Sequence, residues 1–266
     1  MTRADEVVGF HAIIPTPARL GADRWDATST VDSDETSRLV DQLIGDGAAG
    51  IIALGTTGEC ATLSSDDFET VVAAVVDGAA GRVPTYIGAT TLGTHETVRR
   101  LQFISGAGAT GSLVGLPMWQ PCTTEMAVNF YRDISSATDL DIMVYANARA
   151  FRYNFPVEFW EAVHRVAPRV TSAKVSTAAK LVDMIESTKG GIAFMPSDMK
   201  LHEFYALSPA TTTSCWATAA SMGPEPSLAL LDAVTRGDRA AIDAAAEAIA
   251  WANEPIAHLL ADQEVF

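Results

Sequence analysis

Cysteine is scarce. Cys60, Cys122 and Cys215 are three scattered thiols, an odd count with no paired spacing, which argues against both a disulfide framework and a zinc knuckle. The five histidines, His11, His95, His164, His202 and His258, never fall at the i, i+4 spacing of a helical metal pair, so no metal is expected. Basic residues are few, with 18 Lys and Arg against 33 Asp and Glu and a net charge of −15. A chain this acidic lacks the footprint of a general nucleic-acid or anionic-membrane binder, although a local basic pocket remains open to it. No apolar run approaches the roughly 18 residues that span a bilayer. The opening Met-Thr-Arg-Ala-Asp-Glu shows neither the apolar core nor the cleavage site of a secretory signal. A cytoplasmic, metal-free protein with no membrane or nucleic-acid partner is expected.

What is present is core material and a regular alternation. Hydrophobic residues make up 48% of the 266 and charged residues 19%, which leaves no compositional case for disorder. Short apolar runs read as strands at 8–14, 49–54, 84–89, 111–116, 141–145, 169–174, 191–195 and 212–216. Between them lie helical patterns at 33–45, 65–79, 94–106, 123–137, 155–166, 177–188, 198–207 and 225–236, with a further Ala-rich helix at about 238–253. Asp32 ahead of Glu35, and Ser64 and Ser65 ahead of Asp66 and Asp67, are plausible caps. Units of about 30 residues are the size of a βα repeat. Eight of them fit an α/β fold, a (β/α)8 TIM barrel over 1–236, with a C-terminal helix and tail over 237–266 packed on it. An open doubly wound sheet is the structural alternative.

One motif misleads. Residues 106–111 spell GxGxxG, but they follow a helical pattern and lead into a strand. A dinucleotide loop does the reverse, so that a helix N-terminus faces the pyrophosphate. Gly106 is better read as a helix C-cap, and no dinucleotide is expected.

In a βα barrel the strand C-termini form the active face. The second strand ends in Gly55-Thr56-Thr57-Gly58-Glu59, where backbone N–H groups can approach an anion and hydroxyls can relay protons; the alternative is a Gly-rich turn with a capping Thr. The sixth ends in Lys174. Desolvation in the barrel mouth would lower its pKa and free an amine to attack a carbonyl, unless its stem packs on the barrel and its ammonium reaches water. The fifth ends in Tyr145-Ala146-Asn147: a phenol to shuttle protons and an amide to hold an oxygen, or an ordinary rim Tyr and turn Asn. The fourth ends in Leu116-Pro117-Met118-Trp119, whose indole could cover a flat ligand or simply pack at the rim. Each signal is weak alone, but their joint placement suits carbonyl chemistry through a Schiff base.

These residues resemble the class I pyruvate aldolases and lyases of the dihydrodipicolinate synthase and N-acetylneuraminate lyase superfamily, from about Gly9 to Pro224. GTTGE, the Tyr ending the fifth strand and the Lys ending the sixth carry that likeness. Within it the chain is most similar to the trans-o-hydroxybenzylidenepyruvate and trans-2'-carboxybenzalpyruvate hydratase-aldolases of aromatic hydrocarbon breakdown. That similarity rests on IIPTP at 13–17, VDSDET at 31–36, GECATL at 58–63, LPMW at 116–119, FYRD at 130–133, YANARAF at 145–151 and the stretch from Trp216 to Pro224.

The resemblance implies that Lys174 forms the Schiff base with a 2-oxo acid, Tyr145 shuttles the proton and Thr56 relays it. Thr57, with the backbone from Gly55 to Gly58, binds the pyruvoyl carboxylate, and Asn147 positions the added water. Trp119 lies near the place where dihydrodipicolinate synthases put a second catalytic Tyr, which favours an aromatic aldehyde partner. No cofactor is implied beyond the covalent imine, and a homo-oligomer, tetramer or dimer, is.

There are departures. Ala148-Arg149 replaces the subgroup's Pro-Glu, Thr57 replaces a Phe, and the C-terminal helical extension is shortened. An Arg149 that reaches the mouth would pair with a carboxylate on the aromatic ring; otherwise it is solvated on the rim. The alternatives are another pyruvate-dependent aldolase or lyase of the superfamily and a catalytically silent oxo-acid-binding barrel.

Overall fold

A computed structural model describes residues 2–262. The apolar runs form β1 (Gly9–Ile13), β2 (Gly50–Ala53), β3 (Thr85–Gly88), β4 (Gly111–Val114), β5 (Asp141–Ala146), β6 (Val170–Val175), β7 (Ala193–Met195) and β8 (Ser214–Ala217). The helices are α1 (Ser33–Gly45), α2 (Ser65–Ala79), α3 (Thr94–Ala107), α4 (Thr124–Ser136), α5 (Ala148–Phe151), α6 (Val157–Val166), α7 (Leu181–Ser187), α8 (Leu201–Leu207), α9 (Glu225–Arg236) and α10 (Arg239–Asp262). All strand pairs are parallel, in the order β7-β6-β5-β4-β3-β2-β1-β8. Most strands are buried along their whole length, as expected when side chains fill the barrel on one side and helices cover the other. The architecture is the TIM barrel that the alternation implied.

Local chemistry sets the helix starts. The Asp32 carboxylate accepts from the Glu35 N–H at the head of α1, and the Ser64 hydroxyl accepts from Asp67 N–H at the head of α2. Three expectations need correction. Helix α3 runs through Gly106, and the residue that ends it is Gly108, whose φ of +94° is the left-handed value a C-cap needs. Helix α5 went unread, though Asn147 is the kind of residue that starts one. Helix α10 continues past Pro255 to Asp262, because an internal proline removes one ladder donor without ending every helix. The last four residues of the expected tail lie outside the described residues. No helix among the described residues is long and apolar enough to cross a membrane.

The barrel closes through few bonds. Between β7 and β8 lies an isolated bridge, Ser197 with Trp216, in which the Trp216 N–H donates to the Pro196 carbonyl at 2.9 Å. The Trp216 indole N–H reinforces it by donating to the carbonyls of Met195 at 3.1 Å and Val175 at 3.2 Å. A second irregularity lies between β5 and β6. Ile142 pairs with Val170 but Met143 pairs with Ser172, so Thr171 is skipped and Tyr145 comes to stand opposite Lys174. A one-residue change of register moves a side chain to the other face of a sheet. Without the skipped residue, Ala173 would face Tyr145.

The exit of β2 is shaped by a buried residue in the left-handed region, Leu54 with φ +54°, a conformation that costs a non-glycine residue roughly 1–2 kcal/mol. Its carbonyl turns into the space over Gly88, where an added Cβ would lie 1.7 Å from the oxygen. Gly55 and Thr56, which follow that reversal, line the inner cavity. Gly88→Ala is expected to destabilise the fold by about 2 kcal/mol or more, whereas Gly106→Ala, which meets nothing within 4 Å, should leave stability unchanged or raise it. Urea unfolding of both variants checks this; a harmless Gly88→Ala would contradict the close approach.

Candidate active site

Lys174 is the penultimate residue of β6 and is 6% exposed. Its Nζ lies 3.4 Å from the centroid of the Trp216 ring and 4.6 Å from that of Tyr145. No ion pair compensates its burial among the described residues. Desolvation therefore pulls its pKa from the ordinary 10.5 down to about 7. A large fraction is then a neutral amine near neutral pH, which is the nucleophilic form. The indole face attracts the cation by up to about 2 kcal/mol when water is excluded, so it would equally stabilise an iminium formed at the same nitrogen.

Around the lysine the fifth strand supplies the acid–base groups. The Tyr145 hydroxyl and the Thr56 hydroxyl are 3.0 Å apart, and either can donate. Asn147 is fixed from both ends of its amide. Its Oδ1 accepts from Ala150 N–H at 3.0 Å as the cap of α5, which leaves its Nδ2 to donate to the Tyr145 oxygen at 3.4 Å. The phenolic proton is therefore free to go to Thr56 or to a ligand. The Phe151 ring meets Tyr145 edge-on, with centroids 5.3 Å apart, and holds the phenol in place.

Tyr145, Thr56 and Phe151 face a cavity of about 390 Å³ lined also by Gly55, apolar Leu54 and Met118, and one carboxylate, Glu59. Lys174 does not line it directly but touches it through the Tyr145 ring. Thr57 and Gly58 are not part of its lining, and the Gly58 carbonyl accepts from the Thr16 hydroxyl at 2.7 Å. Trp119 and Arg149 also lie farther out, on a second chamber of about 900 Å³. The structure thus brings Lys174, Tyr145, Thr56 and Asn147 together and separates Trp119 and Arg149 from them.

Residues 23–254 match the dihydrodipicolinate synthetase family. The chain belongs to this family. A trans-O-hydroxybenzylidenepyruvate hydratase-aldolase of Sphingobium xenophagum is 38% identical over 239 residues, 89% of this chain and 72% of that protein. A trans-2'-carboxybenzalpyruvate hydratase-aldolase of Nocardioides sp. (strain KP7) is 31% identical over 261 residues, 96% of this chain and 78% of that one. The solved structure described as PhdJ bound to substrate intermediate superposes with a TM-score of 0.89 at 32% identity, covering 92% of this chain and 77% of its own. The chain is accordingly an enzyme of the lyase class.

In this dihydrodipicolinate synthetase family member, Trp216 is a site residue to which the sequence assigned no role, although Trp216 opens one of the stretches that carry the family likeness. It sits near the C-terminal end of β8, and the rule that strand ends carry the site would have singled it out. Phe151 and Met118 were also missed, since nothing in an apolar residue's identity says that it faces a cavity.

The lowered pKa has a consequence for stability. Between about pH 7 and 10.5 the unfolded chain holds a proton at this lysine that the folded one lacks, so the folded state gains stability as pH rises through that window. Each unit corresponds to about 1.4 kcal/mol. Lys174→Met removes the burden. The variant is expected to unfold at higher urea than the native protein at pH 7, with the difference shrinking towards pH 10. A variant less stable at pH 7, or a difference that ignores pH, would contradict a desolvated lysine.

Proposed function

We propose that the enzyme is a Schiff-base hydratase-aldolase that cleaves an aryl-substituted 2-oxobut-3-enoate to an aromatic aldehyde and pyruvate, a reaction of aromatic hydrocarbon breakdown. The observation that carries this is the desolvated Lys174 amine set against a Tyr145–Thr56 hydroxyl pair, beside an apolar cavity wide enough for a ring. The names of the relatives agree with it.

The neutral Lys174 amine attacks the C2 ketone, and Tyr145, exchanging protons with Thr56, carries the proton that lets the carbinolamine lose water. The resulting iminium is conjugated with the C3–C4 double bond and draws electrons from it. Water held by the Asn147 amide adds at the benzylic C4, and C3 takes a proton. Removal of the new hydroxyl proton by Tyr145 breaks the C3–C4 bond. The aromatic aldehyde leaves, and the electron pair rests in an enamine on Lys174. Protonation at C3 and hydrolysis release pyruvate and restore the amine. The imine is the electron sink at every stage, so the chemistry calls for no metal and no organic cofactor.

Incubation with 2-hydroxybenzylidenepyruvate is expected to produce aldehyde and pyruvate in equal amounts. The value of kcat/KM should rise with pH through about 7 as free Lys174 loses its proton. Tyr145→Phe should lower kcat by about 10²-fold or more. Folded protein that releases no pyruvate from any aryl 2-oxobutenoate, or a Tyr145→Phe variant within twofold of native, would contradict the proposal.

A further inference from the structure

The chamber outside the catalytic cavity has a composition that the mechanism above does not use. It shares Ala61, Thr90, Met118 and Ala150 with the inner cavity, so the two are continuous. Its charged lining is Arg100, Arg149, Arg152 and Glu96, three guanidiniums against one carboxylate in a protein whose overall charge is −15. Glu96 is already engaged, by Arg99 at 2.8 Å and by Arg100 at 3.6 Å. Arg100 is itself buried, its Nη1 donating to the Cys60 carbonyl at 2.9 Å. Arg149 and Arg152 have no acidic partner among the described residues, whereas nine of the other twelve arginines do.

The two unpaired arginines are also placed by the catalytic residues. Arg149 lies in α5, the short helix that Asn147 caps, and Arg152 is the left-handed residue that ends it; both line the outer chamber. Arg152 ends the helix with φ +54° and donates from Nη1 to the Trp119 carbonyl at 3.4 Å. Trp119, 72% exposed, offers an indole face to the same chamber. The amide that holds the Tyr145 phenol and the guanidiniums of Arg149 and Arg152 thus belong to one short segment.

We infer that the outer chamber is a second anion subsite, in which Arg149 and Arg152 receive a carboxylate borne by the aromatic ring of the substrate. The inference rests on the function proposed above and narrows it to substrates with two anionic ends. The 2-oxo acid end lies towards Lys174, the ring passes Met118, and its carboxylate meets the paired forks. Guanidinium matches the planar carboxylate through two parallel hydrogen bonds, which a ring hydroxyl cannot reproduce. Such a pair beside apolar walls also draws an anionic substrate to the mouth of an otherwise acidic protein.

The test compares 2-carboxybenzylidenepyruvate with 2-hydroxybenzylidenepyruvate in steady-state turnover. In parallel, 2-carboxybenzaldehyde and benzaldehyde are compared by calorimetric binding, which needs no turnover. In the Arg149→Ala/Arg152→Ala double variant the preference for the carboxylated member is expected to fall about tenfold in both assays, carried by KM rather than kcat. Arg149→Lys should retain part of it, and added salt should erode it in the native protein. Equal losses for both ring substituents, or no loss, would overturn the subsite even if both substrates are cleaved. Arginine-dependent preference for 2-carboxybenzaldehyde in a protein that cleaves neither substrate would sustain the subsite and remove the proposed reaction.

Discussion

The structure turns on one uncompensated burial, the Lys174 amine enclosed between the rings of Trp216 and Tyr145. A primary amine in that place is held without a counter-ion, and its proton is correspondingly loose. Everything near it either maintains the enclosure or manages the proton. Trp216 does the first twice over: its backbone closes the barrel between β7 and β8, and its indole N–H, spent on two carbonyls of neighbouring strands, fixes the plane of the ring that Lys174 faces. Barrel closure and lysine desolvation are therefore one feature.

Proton handling depends on the other strands arriving in the right register. The skipped Thr171 sets Tyr145 against Lys174, and the reversal at Leu54, admitted by the bare face of Gly88, leads into Thr56, whose hydroxyl meets the phenol. Asn147 joins this group to the outer chamber, because one amide both steadies the phenol and starts the helix that carries Arg149 and Arg152. In the proposed reaction a substrate's reacting carbon and its distant ring would both be met by the one segment from Tyr145 to Arg152. Arg149 faces the outer chamber and does not line the inner cavity that Tyr145 and Thr56 line.

Much of this could be read before the fold was known. Period and spacing located every strand and most helices, since the βα repeat imposes its pattern on each unit. Lys174, Tyr145, Thr56 and Asn147 stood at strand ends, where barrel chemistry gathers. What stayed hidden depends on contacts distant in sequence. The skipped residue in β6 leaves no mark in its composition, and Trp216 reads as one more core aromatic until the barrel closes around it. Helix α5 is four residues long, too short for periodicity, and Gly106 and Gly108 differ only in backbone angle. Thr57 and Gly58 looked equivalent to Gly55 and Thr56 in the motif, but only Gly55 and Thr56 line the inner cavity.

The proposed chemistry requires Lys174 to be a nucleophilic amine. Borohydride reduction in the presence of pyruvate, followed by intact mass and peptide mapping, tests it most directly. The expected result is one reduced pyruvyl group per chain, on Lys174, absent without pyruvate and absent in Lys174→Met. A folded protein that takes up no group, or takes it up at another lysine, would contradict the claim.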